Sequence, residues 1–116
     1  MFGLFKKKTP QYSIQEVLNQ LGACAGGIID AASAKNDLEV AFQGAATITP
    51  ILGESKKFLD LDVKPNTIFA RYLIALQKQD LSEMIKMTRG MADALNQVSD
   101  IQHKGALIYF WFTGDE

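Results

Sequence analysis

Ala106-Leu107-Ile108-Tyr109-Phe110-Trp111-Phe112 is the stretch on which the fold class turns. Seven apolar residues in succession show neither the period of an exposed helix nor that of a half-buried strand, and their aromatics favour β structure. As a strand, Tyr109 and Trp111 face one way and Phe110 and Phe112 the other, so whichever pair is left bare forms a sticky patch or an edge for pairing. As a helix, the run is apolar on every side. Core closure or a partner must therefore cover it, and Tyr109, Phe110, Trp111 and Phe112 become candidate interface residues, since Trp and Tyr are enriched among interface anchors. A strand here makes the protein α+β; otherwise it is mainly α.

The rest of the chain argues for helices. Before the run, Asp80 and Glu83 have capping-box spacing, and Leu81, Met84, Ile85, Thr88, Met91, Leu95 and Val98 continue with helical period to about Ser99. Nearer the start, Ser13 caps a helix while Glu16 reaches back, and Tyr12 against Val17 supplies a hydrophobic staple. From there Ile14, Val17, Leu18, Leu21, Cys24, Ala25, Ile28, Ile29 and Ala32 recur every three or four residues on one face.

Between these helices the pattern is mixed. Leu38, Val40 and Phe42 alternate like a strand, while Leu38, Phe42, Ala45, Ile48 and Leu52 fit a helix; the expectation is two helices, residues 37–46 and 50–59, with Thr49 capping a segment that has Pro50 in its first turn. Lys64-Pro65 marks another break, Asn66 is the expected cap, and Ile68, Phe69, Tyr72, Leu73 and Leu76 form the following apolar face. The expected fold is mainly α: a single-domain bundle of four or five helices over residues 13–116, preceded by a flexible basic tail at residues 1–12.

Composition narrows the functional classes. The 116 residues are single-domain length, and 47% hydrophobic with 22% charged is ordinary globular composition. Twelve Lys plus Arg balance thirteen Asp plus Glu; Arg71, Lys78, Lys86 and Arg89 are interspersed with acids, so neither a global field nor a basic stripe draws nucleic acid. The single cysteine, Cys24, excludes an internal disulfide and has no Cys or His neighbour for a zinc site, which points to a reducing, cytoplasmic setting. The longest uncharged stretches, residues 17–29 and 40–53, fall short of the roughly 20 residues needed to span a bilayer. Phe2, Leu4 and Phe5 with Lys6, Lys7 and Lys8 have the composition of a peripheral anchor, but three lysines contribute only about 3 kcal/mol on anionic lipid. Membrane contact is thus at most peripheral.

No catalytic, metal or cofactor constellation stands out. His103 is the only histidine; Asp100 lies one turn away, and the expected role is a solvated side chain near a helix end whose dipole suits its charge. Cys24 lies in an apolar stripe and reads as a buried, inert thiol. Gly22-Ala23-Cys24-Ala25-Gly26-Gly27 has no preceding strand and no lysine after it, so it matches no phosphate-binding loop. Its glycines nevertheless cost about 1 kcal/mol each within a helix. Ala23, Gly26, Gly27, Ala31 and Ala34 form a small-residue stripe against which another helix can pack closely, and Gly26 and Gly27 join the candidate interface. Of Met84, Met87 and Met91, two of the three are read as core.

The functional expectation is a non-enzymatic protein-interaction module or homo-oligomer, of the kind that small bacterial regulatory or inhibitor proteins, such as toxin immunity partners, provide. The alternatives are a bundle holding an apolar small molecule or lipid, for which Trp111 fluorescence is the cheap test, and a peripheral membrane protein attached through residues 1–8.

Overall fold

A computed structural model describes residues 13–58 and 62–114, and every regular element among them is helical. The elements are α1 (Ile14–Ala23), α2 (Ala25–Ala32), α3 (Asp37–Phe58), α4 (Ile68–Lys78), α5 (Leu81–Asn96) and α6 (Ile101–Thr113). α1 and α2 are one rod interrupted at Cys24, so the mainly α bundle has five rods. The expected basic tail, the expected Tyr12 staple and the segment weighed for membrane contact, residues 1–8, lie outside the described residues.

The first helix starts as its sequence dictates: the Ser13 hydroxyl accepts from the Glu16 amide at 3.2 Å, and the Glu16 carboxylate accepts from the Ser13 amide at 2.9 Å. It does not run through to Ala32. The Cys24 amide donates to the Leu21 carbonyl and the Gly27 amide to the Cys24 carbonyl, both three residues back, so the ladder tightens at Cys24 into a short-period turn. The surrounding glycines make that turn easy to form.

The expected break in the next region is absent. α3 continues from Asp37 to Phe58 with Pro50 inside it. Proline removes one hydrogen bond and crowds the carbonyl four residues back, but Pro50 and Ala46 are both exposed, so water can serve that carbonyl. Meanwhile Val40, Ala41, Gly44, Ile48, Ile51 and Ser55 keep one buried face in register through the proline. Tertiary burial outweighs the local break.

Asn66 does not cap α4. It adopts a left-handed conformation (φ 68°) after Pro65, forming a turn, and Thr67 takes the cap, its hydroxyl accepting from the Ala70 amide at 3.3 Å. Gln79, also left-handed (φ 56°), closes α4: its amide reaches the Leu76 carbonyl, and the Asp80 amide reaches Ala75. Asp80 immediately opens α5, accepting from the Glu83 amide at 3.2 Å. This two-residue connection joins α4 directly to α5, and the two helices pack together. α5 ends at Asn96, short of Ser99.

The aromatic run is helical, not extended. Asp100 caps α6 by accepting from the Gln102 and His103 amides, and Gly114 at φ 75° closes it. Gly105, Ile108, Trp111 and Phe112 face inward. Phe69 packs edge-on against both Phe112 (4.7 Å between ring centres) and Trp111 (6.0 Å), a geometry that aromatic rings prefer. Leu21, Ile28, Val40, Ile48, Tyr72 and Leu95 complete the centre of the core, where Met84, Met87 and Met91 are all buried.

The tightest approach in the bundle joins α1 to α6. A Cβ placed on Gly22 would overlap the Ile101 carbonyl oxygen, and one placed on Gly105 would overlap the Leu18 carbonyl. Each glycine thus faces the residue one turn before the other glycine, and the two helices run antiparallel. Gly27 and Gly44 make looser contacts, with Thr47 and Thr88. The expected close-packing stripe is therefore only partly used: Ala31 is buried and Gly27 meets α3, whereas Gly26 is exposed and has open space around it.

Candidate binding groove

The four aromatics of the terminal run do not share one environment. The helical phase buries Trp111 and Phe112, half-buries Tyr109, and leaves Phe110 at 36% exposure. Phe110 opens onto a groove of about 650 Å³ formed by the α5–α6 connection and the outer face of α6. Its apolar surface comes from Val98, Ala106, Leu107 and Phe110, and its polar end from Ser99, Asp100 and His103.

That polar end is organised by helix capping. One Asp100 carboxylate oxygen accepts from the Gln102 amide at 3.1 Å and the His103 amide at 3.2 Å, and lies 3.3 Å from His103 Nδ1. His103 is consequently in the first turn of α6, where the helix dipole favours the Asp100 anion and opposes an imidazolium, contrary to the sequence expectation. Both side chains are more than half exposed, so the pair contributes little to stability. Ser99, Asp100 and His103 line the same groove. The groove thus sets an apolar trough beside a carboxylate and an imidazole.

Comparison with family models, curated proteins and solved structures finds no match.

The other singled-out residues separate in space and role. Cys24 sits at the α1–α2 turn, half-buried, with its thiol donating to the Gln20 carbonyl at 3.4 Å. Burial, and then the Glu54 carboxylate, push the thiol above its ordinary value of 9.0, so thiolate chemistry is disfavoured. Among the described residues, no three His, Cys, Asp or Glu side chains cluster to hold a metal ion, and no helix is long and apolar enough to cross a membrane.

Sequence reasoning missed two features. A second groove, about 340 Å³, lies between α4, α5 and α6, with Trp111 and Gly90 among its lining residues. Leu38 and Phe42, one turn apart on α3, are 50% and 58% exposed; their helical spacing was visible in the sequence, but the phase that turns them outward depends on Val40 and Ala41 being taken by the core.

Proposed function

We propose that the protein is a non-enzymatic interaction module whose α5–α6 groove receives an apolar side chain of a partner protein. The observation that carries this reading is Phe110, the member of the aromatic run left at the surface, set with Leu107 and Val98 in a concave trough. A trough, unlike a flat patch, gives one anchor side chain a pocket to desolvate, the usual arrangement at interaction hot spots. Asp100 at the polar end favours an anchor flanked by a basic residue, because its carboxylate retains accepting capacity after capping α6. Such a module acts as a regulatory or inhibitory subunit, altering another protein by covering part of it.

The test places a photo-crosslinking amino acid at Ala106, exposed within the groove, and separately at Gly53, an exposed position on α3. Expression is in the cells from which the protein comes. A discrete crosslinked protein from position 106, absent from position 53 and lost with Phe110→Asp, supports the reading. Uncrosslinked monomer from both positions, with a monomer in native mass spectrometry, would overturn it.

A further inference from the structure

We infer that the α4–α5–α6 groove binds a linear apolar carboxylate, its head held by Arg71 and Lys86 and its tail laid over Gly90 toward Trp111. The groove is chemically graded. Arg71 and Glu83 also line an adjoining pocket with Lys78 and Asp80, next to the α4–α5 turn, so this end is charged. Ile68, Met91, Ala94 and Trp111 supply apolar lining away from that end. Between them no atom of the described residues lies within 4 Å of where a Cβ on Gly90 would stand, which leaves a channel over α5 that most side chains would fill.

Charge selects the head group. Among the described residues, ion pairs engage Lys56, Arg89 and His103, and neither Arg71 nor Lys86 belongs to one. Glu83 offsets part of their field, leaving one net positive charge at the groove's polar end. An anion there gains two cationic donors, whereas an amine would meet them as repulsion. The floor matches a flexible tail, because Met87 and Met91 are polarizable and adapt their shape. From Lys86 to Ala94 α5 rises about 12 Å, the length of a chain of about ten carbons.

The experiment uses the full chain and sodium decanoate below its self-association concentration, read by the emission of Trp111, the only tryptophan, and by calorimetry. Saturable binding is expected with a Kd of about 100 µM, the scale for a ligand of a dozen non-hydrogen atoms. Decanol and decyltrimethylammonium should bind at least about tenfold more weakly. Arg71→Gln with Lys86→Gln, both at exposed positions, should weaken decanoate about tenfold and leave decanol unchanged. Gly90→Leu should block all three ligands while leaving the thermal midpoint within a few degrees. The inference is overturned if the unaltered protein shows no saturable response, if alcohol and carboxylate bind equally, or if a folded Gly90→Leu protein binds decanoate as before. Since Arg71→Gln/Lys86→Gln changes only exposed side chains, it decides the question even if Gly90→Leu does not fold: decanoate affinity unchanged in that double variant also overturns the inference.

Discussion

Gly105 of α6 lies so close to Leu18 of α1 that the Leu18 carbonyl oxygen occupies the space a Cβ would need. The obstruction is backbone, which no rotamer change can move aside. Gly105→Ala and Gly22→Ala should therefore each destabilise the protein by about 3 kcal/mol, at the upper end of overpacking costs. Gly26→Ala, at a helical position with open space, should instead stabilise by about 0.5–1 kcal/mol. Urea unfolding of the three variants gives the signs, and equal effects would show that the two helices do not meet at these glycines.

A buried polar atom gives a second handle. Tyr72 is fully buried, and among the described residues its hydroxyl has no hydrogen-bond partner. The Thr88 hydroxyl donates its own proton to the Met84 carbonyl at 2.8 Å, so toward Tyr72 it could serve only as an acceptor. Tyr72→Phe removes an unsatisfied group and preserves the ring, so stability should rise by about 1 kcal/mol, with the thermal midpoint moving up by roughly 4 °C. A fall in the midpoint would mean that the hydroxyl is satisfied in solution.

Alkaline pH should weaken the fold through the same residue and Cys24. Burial raises the Tyr72 phenol above its ordinary value of 10.0 and, with Glu54, raises the Cys24 thiol above 9.0. Both groups are neutral at low pH, and the unfolded chain ionises each first. Their contribution is therefore constant below about pH 8 and is lost as pH rises through the folded-state values. Urea midpoints measured from about pH 7 to about pH 11 should be flat and then decline, and Cys24→Ala should remove the earlier part of the decline.

Pro50 is an internal cost that the bundle tolerates. Pro50→Ala restores an amide donor for the Ala46 carbonyl within α3 and should stabilise by about 1–2 kcal/mol, part of the usual proline penalty being offset by the freer unfolded chain. Circular dichroism should show no loss of helix. Destabilisation would show that the proline shapes the packing of α3.

How much of this was legible depended on whether the signal was local. Ser13 with Glu16 and Asp80 with Glu83 lie within one turn of each other, and both helices start where those residues place them. Pro50 misled because its penalty is local while its compensation is not: Gly44 and Ser55 belong to the buried face of α3 but carry no apolar signature. In α6, seven consecutive apolar residues erased the period, although Asp100 and Gly114 bracket a helix with ordinary start and stop residues. The grooves were beyond reach for a different reason. Phe110 lies outward only because Ile108, Trp111 and Phe112 take the core, and the pairing of Leu18 with Gly105 joins residues from opposite ends of the chain.

That pairing also orders events during synthesis. Because α1 seats its glycine-bearing face on α6, α1 must wait during synthesis until α6 has been made, more than 80 residues later, before this neighbour exists. The antiparallel seating brings the start of α1 beside the end of α6. A circular permutant joining these ends, with new termini in the loop between α2 and α3, would let α6 and α1 emerge as consecutive helices and convert the most distant contact into a hairpin.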